Sequence, residues 1–116
     1  MARLIRAISW MKGALKDFQE FPPDAQLRCR LALSIVAEGG MPDIAKPLRS
    51  LPSGVFELAL PYRGDAFRVV YAVKVGEEIW VLHAFQKKAH RGIKTPQHEI
   101  DLIKQRLKRL SEILQL

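Results

Sequence analysis

Alternation of apolar and polar residues predicts three β-strands in the second half of the chain. The first covers Val55–Leu60 and the second Phe67–Val75, each with one mainly apolar face. The third, Ile79–Phe85, is apolar on both faces, which is typical of the most central strand of a sheet. The two connecting turns are too short for a crossover, so we expect these strands to pair antiparallel.

Apolar residues at helical spacing predict two helices before these strands. The first spans about Met11–Glu20 and ends before Pro22. The second begins at Pro23, where a missing N–H costs nothing, and ends at the glycine pair 39–40. Its apolar positions are Leu27, Leu31 and Ile35. Together they predict an N-terminal helical hairpin.

A third helix is predicted at the end of the chain, with Thr95 as its N-cap and Pro96 at its first helical position. Its narrow apolar seam consists of Ile100, Ile103, Leu107, Leu110 and Leu114. Residues 3–9 are compatible with an edge strand, and residues 41–54 with a loop. The predicted order is β-α-α-β-β-β-α, an α+β fold with an antiparallel sheet in a single domain over residues 1–116.

Charge narrows the class of partner. The 116 residues include 19 Lys and Arg against 12 Asp and Glu, which gives a net charge of +7. Such an excess attracts polyanions, although it also suits an acidic protein. The single cysteine, Cys29, excludes an internal disulfide and is expected to be a buried, inert thiol. We find no signal peptide and no apolar run long enough to span a membrane, and we expect a cytoplasmic protein.

The positive charge is concentrated where the third strand ends and the last helix begins. Five residues that are or can be cationic lie close together here in the sequence: Lys87, Lys88, His90, Arg91 and Lys94. Cations fixed at the rim of a sheet indicate that an anionic ligand binds there, and RNA is the first candidate.

The sequence offers no metal site or nucleotide-binding motif. His83, His90 and His98 lack the spacing of metal ligands, and His83 is expected in the core. No Walker loop or Rossmann glycine motif is present, so we expect neither metal nor cofactor. RNA cleavage by the substrate's own 2′-hydroxyl fits a site made of cations, because fixed Lys and Arg stabilise the charge that develops at phosphorus. Clustered cations also lower the pKa of a lysine, which allows one to act as a base.

Arg68 is the first candidate for such a site, because it extends from a strand on the face opposite Phe67 and Tyr71. A charge there needs an acidic partner or a ligand, and Glu57 on the neighbouring strand is a candidate partner. A purely structural Glu57–Arg68 pair fits the pattern equally well. Tyr71 is expected in the core. The adjacent Lys87 and Lys88 are expected to point to opposite sides. Lys104, Lys108 and Arg109 are interpreted as a solvated helix face.

Several segments together resemble one protein superfamily. They are Lys46-Pro47-Leu48, Val55-Phe56-Glu57-Leu58, Phe67-Arg68-Val69-Val70-Tyr71, Leu82-His83-Ala84-Phe85-Gln86-Lys87-Lys88 and Lys94-Thr95-Pro96. In this combination the chain resembles the RelE/ParE toxins, and most closely the HigB-type, phage Gp49-like branch. The resemblance extends over essentially the whole chain.

The resemblance implies a toxin of a type II toxin–antitoxin system that cleaves mRNA on the ribosome and is neutralised by a HigA-like helix-turn-helix antitoxin. It implies that Arg68 contacts the scissile phosphate and that Lys87 and Lys88 form the basic end of the following strand. The catalytic residues are then expected to be Arg68, Lys87, Lys88 and His90, and the RNA-binding residues Lys46, Arg63, Arg91 and Lys94.

The chain also departs from RelE itself. Phe56-Glu57-Leu58-Ala59 stands where RelE has two catalytic lysines, and no tyrosine follows Tyr71. The acid and base must therefore come from other residues, with Lys87, Lys88, His90 and Lys94 as candidates. Two other functions stay open: a ParE-like toxin that binds DNA gyrase without catalysis, and an inactive phage-derived relative.

Overall fold

The computed structural model describes residues 5–88 and 95–115 and confirms an α+β fold with two helices before the main strands and one after them. The elements in chain order are β1 (Ile8–Trp10), α1 (Ala14–Phe18), α2 (Pro23–Ala37), β2 (Ala45–Pro47), β3 (Val55–Tyr62), β4 (Asp65–Ala72), β5 (Ile79–Lys87) and α3 (Gln97–Ile113).

The sheet has the strand order β1-β5-β4-β3-β2, and it is mixed. Strands β3, β4 and β5 pair antiparallel as predicted, and β2 pairs antiparallel with β3. Strand β1 runs parallel to β5, with Ile8 opposite Ile79 and Trp10 opposite Val81. The prediction of a wholly antiparallel sheet is therefore wrong at this edge. Two helices and three strands lie between β1 and β5 in the chain, and a connection of this length lets an early strand join a late one in parallel.

Strand β4 is the central strand, so the prediction that Ile79–Phe85 is most central is wrong by one position. The apolar character of β5 on both faces has another cause. Its partner β1 covers only the first three residues of β5, and α1 packs against β5 as well. Burial on several sides thus produced a pattern typical of a central strand.

Strand β2 lies within the segment 41–54 that was predicted to be a loop. It pairs antiparallel with β3, with Lys46 opposite Glu57. Three residues are too few to show alternation, and Pro47 argues against a strand except at a sheet edge, which is where β2 lies.

Helix α2 shows that periodicity can mark a helix without marking its buried face. Its predicted apolar residues are exposed, at 59% for Leu27, 58% for Leu31 and 44% for Ile35. The buried face consists instead of Ala25, Cys29, Ala32, Leu33, Val36 and Ala37. Cys29 is buried, as predicted, and burial raises the pKa of its thiol to about 11, which disfavours the reactive thiolate.

The helices lie on both sides of the sheet. The hairpin packs on one face, where the rings of Phe21 and Phe67 are 4.5 Å apart. Helix α3 packs on the other face through its predicted seam, in which Ile100, Ile103 and Leu110 are buried. None of the helices in the described part of the chain is long and apolar enough to cross a membrane.

The start of α3 differs from the prediction. Pro96, not Thr95, occupies the N-cap position, and no side chain caps the helix there. The residue before a proline is biased towards an extended conformation, which places Thr95 outside the helix. Its hydroxyl is therefore available for a contact elsewhere in the structure.

Candidate functional site

The alternation of β3 and β4 directs their charged side chains to the face beneath α3. The register pairs Ala59 with Arg68 and Lys46 with Glu57, which makes Glu57 and Arg68 diagonal neighbours on the same face. The sequence named Glu57 only as a candidate partner of Arg68, and the register supplies the shared face. The sheet thus brings two cations and one carboxylate together from three adjacent strands.

Glu57 and Arg68 form a buried ion pair. Arg68 Nη1 donates to Glu57 Oε1 at 2.7 Å, and the exposed side-chain fractions are 7% and 0%. Removing either partner alone would leave a buried charge unpaired, which is strongly unfavourable. The pair therefore fixes the guanidinium in one orientation.

Thr95 completes this network from the segment before α3. Its hydroxyl donates to Glu57 Oε2 at 2.8 Å and accepts from Arg68 Nη1 at 3.3 Å. Sequence reasoning missed this role, because threonine before a helix is expected to cap it. The signal that could have revealed it was Pro96, whose preference for a preceding extended residue turns Thr95 away from the helix.

Lys46 lies at the open side of the network. Its ammonium is 3.8 Å from Glu57 Oε1, and its side chain is 49% exposed. A cavity of about 360 Å³ opens here, lined by Lys46, Arg49, Arg68 and Thr95 among others. Arg49 was not predicted as a site residue, because nothing in a loop sequence shows which way its side chain lies. We call this group, with Glu57, the Arg68 site.

Lys87 and Lys88 point in different directions, as predicted. Lys87 lies opposite Ala66 on the face of Arg68 and is 4% exposed. Lys88 is exposed and lies 3.7 Å from Asp65, which also accepts a hydrogen bond from Gln86. Both lysines line a second cavity, with Thr95 and Pro96, at the start of α3. Lys87 is thus the lysine on the Arg68 side of the sheet.

The other predicted residues lie apart from the Arg68 site or outside the described residues. Arg63 is in the β3–β4 turn, where its guanidinium covers the ring of Tyr62 at 5.4 Å. Tyr62 bonds Asp24 of the hairpin, so Arg63 belongs to the opposite face. His90, Arg91 and Lys94 fall within 89–94, outside the described residues.

His83 and Tyr71 are core residues, as predicted. His83 is 3% exposed, and burial lowers its pKa. Its Nε2 lies 3.2 Å from Glu99 Oε1, and its Nδ1 lies 3.1 Å from Arg106 Nη1. Since arginine only donates, Nδ1 accepts and the neutral imidazole carries its proton on Nε2. Tyr71 stacks on Phe56, and burial raises its pKa to about 12.

The Arg68 site suits a phosphodiester more than a metal ion. An arginine held by a carboxylate and a hydroxyl presents a planar, fixed donor group to phosphate oxygens, and Lys46 and Arg49 add charge around the same cavity. Over residues 5–88 and 95–115, no three His, Cys, Asp or Glu side chains gather as metal ligands would.

Comparison with known proteins agrees with this description. A model of the phage-derived Gp49-like protein family (DUF891) matches residues 16–108. Among proteins with curated functions, none matches the sequence. The structure is similar to the Escherichia coli toxin RelE in its free, mutant form, with a TM-score of 0.62, 18% identity, and coverage of 90% of this chain and 97% of that one.

A second solved structure is similar over a smaller part of the chain. It is the toxin–antitoxin complex RelBE2 from Mycobacterium tuberculosis, with a TM-score of 0.51 and 19% identity, covering 72% of this chain and 99% of that one. At these identities the likeness shows that the chain has the RelE fold.

Proposed function

Because the chain belongs to the Gp49-like family of phage-derived proteins, we propose that it is a HigB-type toxin that cleaves mRNA on the ribosome. The observation that best supports this proposal is the Arg68 guanidinium, held by Glu57 and Thr95 at a cavity lined by further cations. The RelE fold and the resemblance of the sequence to RelE/ParE toxins point to the same class of activity.

In the proposed reaction the 2′-oxygen of the RNA attacks the adjacent phosphorus. A base removes the 2′-proton, the bond from phosphorus to the 5′-oxygen breaks, and an acid protonates that oxygen. The products are a 2′,3′-cyclic phosphate and a free 5′-hydroxyl. Arg68 stabilises the charge that develops on the phosphorane oxygens, and it does so without reorganising because its partners already hold it.

Glu57 acts as a positioning residue for Arg68 in this scheme. Its carboxylate is fully buried and already accepts from Arg68 and Thr95, so it orients the guanidinium and does not reach the substrate. Lys87, on the same face, and Lys88, at the rim, remain the described candidates for acid and base. His90 and Lys94, which lie outside the described residues, also stay candidates.

We also propose an antitoxin partner, a HigA-like helix-turn-helix protein, and a cytoplasmic location beside the ribosome. The solved RelBE2 structure, which has the same fold, is a toxin–antitoxin complex. The charge of +7 favours an acidic partner surface. Co-expression of such an antitoxin should abolish growth arrest, and continued arrest at equal expression levels would argue against this partner.

The experiment that tests the function maps transcript 5′ ends after a short induction of wild type, Arg68→Ala and Arg28→Ala. Arg28→Ala is the matched control, since it removes an exposed arginine from α2, on the opposite face of the sheet. We expect cleavage within translated messages for wild type and Arg28→Ala, and none for Arg68→Ala. Arg68→Lys, which keeps the buried charge but loses the planar fork, separates loss of function from loss of folding.

Three results would contradict the proposal. Cleavage by a folded Arg68→Lys protein at the wild-type rate would show that the reaction does not need the planar guanidinium of Arg68. Growth arrest with intact messages and DNA damage would indicate a gyrase-directed toxin instead. The absence of any arrest from a folded wild-type protein would indicate an inactive relative.

A further inference from the structure

A second group of cations lies in a cleft between the β1–α1 turn and the C-terminal half of α3. The cleft has a volume of about 660 Å³. Four cations, Lys12, Arg106, Lys108 and Arg109, and one carboxylate, Glu112, belong to its lining. We call it the α3 cleft. Its composition differs from that of an ordinary solvated helix face, in which charges of both signs alternate.

Arg106 is fixed at the inner side of the α3 cleft. Its Nη1 donates to the carbonyl oxygen of Leu82 at 2.9 Å and to Nδ1 of the neutral His83 at 3.1 Å. Gly13 lets the β1–α1 turn approach the guanidinium, since a Cβ there would lie 2.8 Å from Arg106 Nη2. Gly13 also has φ 92°, which favours glycine. The fold therefore holds this arginine in place through neutral partners.

The other three cations are exposed, and none has an acidic partner among the described residues. Within the described part of the chain, no carboxylate lies within ion-pair distance of Lys12, Lys108 or Arg109. Glu112 is the sole acidic residue of the lining. Three exposed side chains around one fixed arginine can contact several phosphate oxygens, with Arg supplying planar donors and Lys point charges.

The α3 cleft and the Arg68 site are connected by a single helix. Thr95 precedes α3, whereas Arg109 lies on its last turns. At a rise of 1.5 Å per residue, the twelve steps from Gln97 to Arg109 span about 18 Å. One phosphate group cannot contact both places, but one nucleic-acid strand can.

We propose that the α3 cleft binds backbone phosphates of RNA at a second point, remote from Arg68. The proposal rests on the proposed function, which makes RNA the relevant polyanion. Binding at two points fixes the register of a strand along α3, whereas binding at one point does not. The α3 cleft then contributes affinity without taking part in the reaction.

The test measures binding of the whole chain to a labelled, single-stranded 2′-O-methyl RNA of about a dozen nucleotides by fluorescence anisotropy. This RNA lacks the attacking hydroxyl, so the result does not depend on cleavage. The cleft variant is Lys12→Ala/Arg109→Ala. The control is Lys16→Ala/Lys104→Ala, which removes the same charge from exposed positions on α1 and α3 outside the cleft lining.

For the loss of two phosphate contacts, the slope of log affinity against log salt should become shallower by about 1.4. At about 0.1 M salt that slope corresponds to binding about 25-fold weaker. The control should bind within about threefold of wild type, because a diffuse loss of charge changes affinity little compared with lost contacts.

Equal weakening of the cleft and control variants would overturn the proposal, since it would show only a general effect of net charge. Unchanged RNA affinity would also overturn it. If inorganic phosphate binding or antitoxin binding is lost while RNA affinity stays the same, the cleft serves a small anion or a protein instead. Absence of transcript cleavage in cells together with cleft-dependent RNA binding would contradict the proposed function alone.

Discussion

The Arg68 site and the α3 cleft both concentrate positive charge, but they differ in whether a carboxylate neutralises it. At the Arg68 site, Glu57 lies within ion-pair distance of both Arg68 and Lys46. In the α3 cleft, Lys12 and Arg109 are exposed and have no such carboxylate among the described residues. A buried guanidinium must be paired for the fold to form, whereas an exposed one is solvated by water.

Because of this difference, we expect the Arg68 site to affect the stability of the fold and the α3 cleft to affect ligand binding. The Arg68 site is constrained by folding as well as by any ligand, because the charges of Glu57 and Arg68 are buried. The α3 cleft is constrained by folding only at Arg106, which neutral acceptors hold. Substitutions in the first region should therefore change the free energy of unfolding, and those in the second should change ligand affinity.

The largest expected effect is from Glu57→Leu. It leaves the Arg68 guanidinium buried without its carboxylate, and the free energy of unfolding should fall by about 3–5 kcal/mol. The double variant Glu57→Leu/Arg68→Met should recover most of that loss, since replacing both charges removes the unpaired group. Urea denaturation monitored by circular dichroism measures both values.

The matched control for this prediction is Glu112→Leu in the α3 cleft. Glu112 is exposed, so its removal should change the free energy of unfolding by no more than about 0.5 kcal/mol. Equal losses for Glu57→Leu and Glu112→Leu would contradict the contrast drawn between the two regions.

The sequence was sufficient to predict the strand pair that forms the Arg68 site. Alternation along β3 and β4 made Glu57 a candidate partner of Arg68, and short turns required antiparallel pairing; the register then put both residues on one face. It did not predict Thr95, whose local preference for capping is overridden by a contact with residues far along the chain. Strand β2 was missed because three residues, one of them proline, show no period.

The α3 cleft could not have been predicted from the pattern. Lys12 and Arg109 are almost a whole chain length apart, and exposed lysines look alike in a sequence whether they converge or not. Helix α2 illustrates the same limit, since Leu27 and Leu31 fit a buried face but are exposed. The periodicity identifies a helix, whereas its neighbours decide which side is covered.

An intermediate effect is expected at His83, which supports Arg106 from beneath the α3 cleft. Glu99 and Arg106 of α3 and Asp17 of α1 are the charged groups facing it. Burial lowers its pKa below 6.5 in the folded chain, so the unfolded chain takes up the proton first as the pH falls. His83 therefore makes the free energy of unfolding decrease below about pH 6.5, by at most about 1.4 kcal/mol per pH unit.

Replacing the imidazole isolates that contribution. His83→Gln can still accept from Arg106 and donate to Glu99 but does not titrate, so its loss of stability between about pH 7.5 and 5.5 should be smaller than that of wild type. His98→Gln is the control, because His98 is 80% exposed and also lies near Glu99, at 3.6 Å. If the two variants depend on pH identically, His83 is not the titrating group.

The smallest expected effect on stability is that of Lys12→Ala/Arg109→Ala. Both side chains are exposed and lack ion pairs within the described residues, so the free energy of unfolding should change by no more than about 0.5 kcal/mol. Removing two of the clustered cations also relieves their mutual repulsion, which should offset part of any decrease in the free energy of unfolding. A loss of several kcal/mol in urea denaturation would instead assign these residues to the fold, and the distinction between the two regions would fail.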